Sequence, residues 1–365
     1  MKIPILKIPY TEEEITEVQE GIADVMRSGI LSGGEVVKQL EREWAAYCGT
    51  KYAVACTSGT AALEMILRAV NVEGKDVVIP SNTMMATAMA VIHARGRVVL
   101  ADCARHSLQP GLKEIMEAEG KNTAAIIIVH IGGVISPDIK DIRDYCNEYN
   151  ISLVEDACHA HGSGIKINNR MFKAGNIGLA GAFSFYPTKV LTCGESGIIT
   201  TNDNDLYYRC CKLRDFYRLN NNPQMHVGVG YNWRMDEFRA VLALQQVRKI
   251  DKVLAERRQI AEWYDSRHEW DNHNALKSSY YKYMISLNNR HRNLIRQKAT
   301  DYDIALPGLV YEIPLHQQPI MEYGITDKFP NTDIVSSTHL CLPLYLGMTE
   351  DEVDYVINSI KEILS

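Results

Sequence analysis

Residues 125–154, AIIIVHIGGVISPDIKDIRDYCNEYNISLV, carry a short apolar run at each end, Ala125 to Val129 and Ser152 to Val154. The stretch between them is long enough for a crossover. The same alternation extends outward in both directions, from about residue 50 to 200. Further runs lie at Ala53 to Cys56, Val77 to Ile79, Val98 to Leu100, Ala182 to Phe185 and Ile198 to Thr200. Short runs rich in Val and Ile, separated by crossover-length segments, read as strands of a mostly parallel sheet with helices on both faces. The fold class is therefore α/β, with a seven-stranded sheet. One intervening helix is legible in detail: Thr57 or Ser58 can cap it, and Ala62, Ile66 and Ala69 with Leu63, Leu67 and Val70 form its apolar stripe.

Between Gly230 and Pro307 there is neither glycine nor proline, and Asp236 to about Arg267 combines apolar periodicity with dense charge. This predicts one long helix leaving the large domain. Beyond it, Tyr283 to Leu287 and Leu309 to Tyr311 read as short strands, and Thr349 and Glu352 are spaced as a capping box for a last helix. The expected organisation is a large domain over residues 1–245, followed by a linking helix and a smaller α+β domain over 246–365. The N-terminal segment can pack on the smaller domain.

The chain has 365 residues, 46% apolar and 23% charged, which is enough to bury a sizeable core and excludes a disordered chain. With 39 basic and 45 acidic residues the formal charge is −6, without long like-charge runs, so no electrostatic footprint for nucleic acid or anionic lipid is present. The nine cysteines are odd in number and include no C-x-x-C pair, which argues against a disulfide framework and a zinc knuckle, so no metal is expected. A reducing cytoplasm is the simplest location. The first residues, MKIPILKIPYTEEE, hold no continuous apolar segment or small-residue cleavage site, and no later segment is apolar over 18 residues. The chain is expected to be neither secreted nor membrane-spanning.

The chemistry is concentrated after two of the strands. VEDACHAHG places Asp156 at the end of one run, and FSFYPTKV places Lys189 thirty-three residues later, just after another. In a parallel sheet both emerge at the carboxyl edge, where open α/β sheets bind ligands. A lysine and an acidic residue there suit pyridoxal phosphate, which needs an amine for its aldehyde and a carboxylate for its ring nitrogen. A helix cap and a solvated charge remain the alternative reading of that pair. In CTSGTAAL, Ser58, Gly59, Thr60 and Ala61 sit at the turn from a strand into a helix, where free N–H groups and the helix dipole favour a phosphate. Ser184 can add a hydroxyl to the same phosphate, or simply fit a crowded strand end.

Six blocks, LSGGEVVKQLEREWAAYCG, CTSGTAALEMIL, VVIPSNTMMATAMAVIHARG, SLVEDACHAHGS, GAFSFYPTKVLTCGESG and GYNWRMDEFRAVLAL, occur in an order and spacing that resembles the DegT/DnrJ/EryC1/StrS sugar aminotransferases. The resemblance runs from about residue 10 to the last helix. It implies a fold-type I enzyme with pyridoxal 5'-phosphate as cofactor, with a large cofactor-binding domain, working as a homodimer with shared active sites. Residue by residue, Lys189 resembles the Schiff-base lysine and proton shuttle, and Asp156 the partner of the pyridine nitrogen. His159 resembles the residue beside the ring's phenolic oxygen, with a buried structural histidine as the alternative. Gly59, Thr60, Ala61 and Ser184 resemble the phosphate cup, and Asn232 the asparagine that reaches the neighbouring subunit's phosphate. Met84 stands where the family carries a stacking aromatic, so a thioether would cover the ring instead. Ser196 departs from a second family glycine. Ser32, in LSGG, and His316, in PLH, resemble residues that approach the substrate.

The resemblance implies ping-pong transfer of an amino group from L-glutamate to a keto sugar that is nucleotide-linked. Other readings are a sugar dehydratase using the pyridoxamine form, a cyclitol aminotransferase, and a noncatalytic regulatory protein that binds the cofactor. Lys189 and the lack of a clustered cysteine set argue against the dehydratases. The sugar, the nucleotide and the carbon aminated are not readable from the sequence.

Overall fold

The computed structural model describes residues 1–274, 277–321 and 327–365. Its strands, in chain order, are β1 (Tyr52–Cys56), β2 (Asp76–Pro80), β3 (Arg97–Ala101), β4 (Thr123–Val129) and β5 (Ser152–Asp156), then β6 (Gly164–Ile167), β7 (Arg170–Lys173), β8 (Ala180–Ser184), β9 (Gly197–Thr201), β10 (Tyr283–Ser286) and β11 (His339–Leu342). Seven of them form one sheet in the order β1-β9-β8-β5-β4-β2-β3. All seven expected runs are in it. The pairs β8–β5, β5–β4, β4–β2 and β2–β3 are parallel, and only β9 runs against the others, pairing antiparallel with β8 and β1. The sheet is buried on both faces, which is why its strands read as continuous Val/Ile runs rather than alternating ones.

On one face the helices Glu35–Cys48, Ile139–Glu148 and Glu237–Arg248 pack around Trp44, Ile126 and Phe183. On the other, Gly59–Ala69, Met85–His93 and Asn204–Arg214 pack around Leu63, Ile79 and Ile127. Removing one such side chain from water stabilises by about 1.5–3 kcal/mol. A third core joins Ile260, Tyr264, Tyr283, Leu340 and Val356, built on the antiparallel pair β10–β11 and the last helix, Glu350–Leu364. Thr349 and Glu352 form the expected capping box there. Ile3 enters this third core and pairs with Ile304, so the N-terminal segment packs on the C-terminal part of the chain.

Two local expectations differ from the structure, and one further element carried no expectation. The long helix is two, Glu237–Arg248 and Ile250–Asp265, which meet at Lys249 (φ −100°, ψ 5°). The change of direction lets the second helix run from the sheet core, at Val253 and Leu254, to the third core, at Ile260 and Tyr264. Leu309 to Tyr311 forms no strand. Side chains take its backbone groups instead: Val310 N–H donates to His339 Nε2, and Asn82 both donates to Val310 O and accepts from Tyr311 N–H. Finally, β6 and β7 form a hairpin that the sequence reading passed over. Its turn residues Asn168 and Asn169 have φ of 47° and 65°, the left-handed pair that a two-residue hairpin turn requires.

Candidate active site

The register brings three strand ends level. Cys56 of β1 pairs with Gly197 of β9, which pairs with Ser184 of β8. Asp156 ends β5 alongside Ala182. Above this edge lies a cavity of about 410 Å³, lined by Gly59, Thr60, Met84, Asp156, His159, Ser184 and Lys189 among others. Seven residues singled out from the sequence therefore converge on one space.

The floor is the start of the helix Gly59–Ala69. Ser58 caps it by accepting from Ala61 N–H at 3.1 Å, while among the described residues the N–H groups of Gly59 and Thr60 have no protein acceptor. Unpaired N–H groups at a helix start are donors for an anion. Glycine is required at two contacts here. A Cβ on Gly59 would lie 2.8 Å from Cys158 Sγ and from Ser184 Cβ, and one on Gly197 would lie 2.2 Å from Ser58 O. Ser184 Oγ accepts from Tyr186 N–H at 3.4 Å, which leaves its own proton to donate.

Asp156 is 6% exposed. Its Oδ2 accepts from Thr87 Oγ1 at 2.9 Å and its Oδ1 from Cys158 N–H at 3.2 Å. Since the Thr87 proton is committed to Asp156, the Thr83 hydroxyl donates to Thr87, making a relay of three. No basic side chain pairs with Asp156 among the described residues, so a buried carboxylate faces the cavity without a cation. A protonated pyridine nitrogen is the partner that such a carboxylate lacks. Lys189 Nζ likewise has no hydrogen bond or carboxylate partner among the described residues, and lies 4.9 Å from the centre of the Tyr281 ring. A phosphate-sized anion at the helix start, a cationic ring nitrogen at Asp156 and an aldehyde at Lys189 are what these groups are suited to hold.

His159 is buried and closely held. Gly132 N–H donates to its Nδ1 at 3.4 Å, so in the neutral ring the proton is on Nε2, which donates to the Tyr311 hydroxyl at 3.2 Å. Its ring stacks on Tyr281 with centroids 4.1 Å apart. Burial, then repulsion from Lys189 and Lys282, holds its pKa well below the usual histidine value, so the ring is neutral. Burial pushes the Tyr311 hydroxyl well above its ordinary value, so it keeps its proton and can donate it to a ligand.

The remaining sequence candidates stand elsewhere. Ala61 does not line the cavity, and its N–H is spent on the Ser58 cap. Asn232 is exposed and pairs with Asp215, and Ser32 is exposed and pairs with Asp236; neither lines the cavity. His316 is held between Ser81 Oγ at 2.6 Å and Asp333 Oδ1 at 2.9 Å, outside the lining. His161 lies fully buried among Trp44, Phe183 and Phe185, away from the cavity lining. Met84 is at the rim, half exposed, with its Sδ accepting from Ala86 N–H at 3.4 Å. Thr87, Tyr281, Tyr186 and Glu195 also line the cavity and were not singled out in the sequence. Thr87 had a usable signal, its spacing of four from Thr83 at a helix start. Tyr281 had none.

The sequence profile of the DegT/DnrJ/EryC1/StrS aminotransferase family matches residues 12–361. The chain belongs to this family. It is an aminotransferase whose cofactor is pyridoxal phosphate. Among curated relatives, the GDP-perosamine synthase of Caulobacter vibrioides is 30% identical over 345 residues, covering 92% of each chain. The spore coat polysaccharide biosynthesis protein SpsC of Bacillus subtilis is 32% identical, over 98% of this chain and 97% of that one. Among solved structures, the proposed sugar aminotransferase Spr1654 of Streptococcus pneumoniae, in its pyridoxamine phosphate form, superimposes with a TM-score of 0.90 at 26% identity, covering 100% of this chain and 98% of that one.

Proposed function

We propose that this aminotransferase moves an amino group from L-glutamate to the keto group of a nucleotide-linked sugar, with Lys189 as the residue that bonds the cofactor and shuttles protons. The observation that carries this reading is that Lys189, unpaired among the described residues, shares one cavity with Asp156, which has no cation partner among them, and with the open helix start at Gly59 and Thr60. The name of the Caulobacter relative, a GDP-sugar enzyme, supports the nucleotide-linked acceptor. Bound pyridoxal phosphate supplies an aldehyde that takes up an amine and a ring that accepts electron density from the adjoining carbon.

The chain's own residues do the rest. Gly59 N–H, Thr60 N–H and the Ser184 hydroxyl bind phosphate oxygens, and Asp156, oriented by Thr87, holds a proton at the ring nitrogen. His159 is neutral and presents Nε2–H towards Tyr311, which fixes the tyrosine hydroxyl as a donor into the cavity. Met84 covers the cavity mouth. With the cofactor bound, the Lys189 amine would take the proton from the donor's α-carbon and return it across the nitrogen to the carbon that carried the aldehyde.

Asn232 lies outside its own chain's cavity, so in this reading it serves the phosphate bound by a second copy, and the enzyme is a homodimer with shared sites. Met225, Val227 and Val229, exposed on the loop that leads to Asn232, support an interface there. Ser32 and His316 are assigned to the substrate side. The division at residues 245 and 246 belongs to the same reading; the core that joins Ile260, Tyr283 and Leu340 supports a second unit, while Val247 to Leu254 still pack with the sheet core. A cytoplasmic setting is supported by nine cysteines that are all unpaired. No helix among the described residues is long and apolar enough to cross a membrane.

The test is Lys189→Ala, assayed for 2-oxoglutarate release from glutamate with a panel of GDP- and dTDP-linked keto sugars. The wild type should turn over with at least one of them and the variant should lose at least about 1,000-fold. Turnover in the folded variant at more than a few per cent of wild type would sink the assignment.

A further inference from the structure

We propose that Tyr281 is a positioning residue for Lys189, and that Arg257 is the clamp that presents it. The proposal rests on the role given to Lys189 above. Tyr281 comes from the segment before β10, far in sequence from the strands that carry the site. Its ring nevertheless stacks on His159 at 4.1 Å with a 26° interplanar angle, has Lys189 Nζ 4.9 Å from its centroid, and sends its hydroxyl to within 3.3 Å of Thr188 Oγ1. With no polar partner for Nζ among the described residues, this ring is the contact that orients the amine. An aromatic face attracts a cation without bonding it, which suits a lysine that must alternate between a bonded and a free state.

The segment that carries the ring is fixed by an unusual use of a buried charge. Arg257, 6% exposed, donates from Nε to Ser279 O at 3.2 Å and to Tyr280 O at 3.0 Å, and from Nη2 to Tyr281 O at 3.2 Å. Among the described residues it has no carboxylate partner, so its guanidinium is spent on three consecutive carbonyls. Tyr280 between them has φ +48°, a left-handed conformation that a bulky residue adopts only where surroundings enforce it. Ser279 adds a bond from its Oγ to His159 O at 2.6 Å, tying the same turn to the residue the ring stacks on. The geometry thus fixes the imidazole and the amine against one ring.

The step to watch is capture of the cofactor. The Lys189 ammonium first gives one proton to solvent; Nζ then forms a C=N bond to the cofactor's aldehyde carbon, and the aldehyde oxygen leaves as water with the two remaining protons of the amine. Capture is followed by visible absorption after mixing protein with pyridoxal phosphate. Borohydride reduction and peptide mass then locate the label, and the dissociation constant of pyridoxamine phosphate, which has no aldehyde, serves as the control. Tyr281→Leu should slow capture about tenfold while pyridoxamine phosphate affinity stays within about twofold, and Tyr281→Phe, which keeps the ring, should restore the rate to within about twofold of wild type. Should Tyr281→Leu fail to fold, Arg257→Lys, which keeps the charge but cannot span three carbonyls, should slow capture in the same direction. Capture at the wild-type rate in the folded variant overturns the proposal, and so does a parallel loss of capture and of pyridoxamine phosphate affinity. A label found on a residue other than Lys189 in the wild type overturns the underlying role of Lys189 and this proposal with it.

Discussion

Asp156 accepts two hydrogen bonds and, among the described residues, meets no cation, and the consequences can be tested one residue at a time. Asp156→Asn keeps the shape but removes the charge that a protonated ring nitrogen needs, so amino transfer should fall by about 100-fold or more while thermal stability changes little. Equal transfer rates for the variant and the wild type would contradict the role. Thr87→Val deletes one donor to that carboxylate. A hydrogen bond to a charged group is worth about 1.5–3 kcal/mol, so pyridoxal phosphate should bind about tenfold or more weakly, which equilibrium titration reads directly. Lys189, Asp156, His159 and Ser184 were legible in the sequence because each stands at or just after a recognisable strand end. Tyr281 was not, because packing between distant segments, rather than local spacing, brings it to the cavity; Thr87 carried only its spacing of four from Thr83.

At the scale of elements, the site is an edge. Cys56, Gly197 and Ser184 are level across three strands, and the helix that starts at Gly59 is pressed against that edge so closely that a methyl group on Gly197 would meet Ser58 O at 2.2 Å. Gly197→Ala should therefore cost about 1–3 kcal/mol in stability, measured by urea denaturation, and should weaken phosphate binding at the helix start in the same variant. A variant as stable as the wild type would show that the edge can give way. Strand identity was readable because a doubly covered sheet leaves continuous apolar runs. The break at Lys249 was not, since no glycine or proline marks it. The Asn168–Asn169 turn did carry a signal in its asparagine pair, and the failure of Leu309 to Tyr311 to form a strand was decided by side chains of Asn82 and His339 that no local pattern contains.

For the whole molecule, several histidines are buried or half-buried in the folded chain with depressed pKa values: His159 well below normal, His161 at about 3, and His273 and His339 at about 4, desolvation being the leading cause in each. The unfolded chain takes up protons near pH 6.5 that the folded chain refuses, so stability is full above that pH and falls as pH drops below it. Each such group contributes up to about 1.4 kcal/mol per pH unit. Denaturation midpoints should therefore fall between pH 7 and pH 5. His161→Phe, which removes a buried imidazole from an aromatic cluster, should flatten that slope. An unchanged slope in this variant would show that His161 is not among the groups responsible. The central claim is that Lys189, Asp156 and the helix start at Gly59 form one working transaminase site. Its most direct test is the visible spectrum of the protein loaded with pyridoxal phosphate, recorded before and after adding L-glutamate with no sugar present. The visible band of the lysine-bound cofactor should disappear as the pyridoxamine phosphate band grows, with release of about one 2-oxoglutarate per site. A visible band that forms and then ignores glutamate would contradict glutamate as the donor, and no visible band at all would contradict the site.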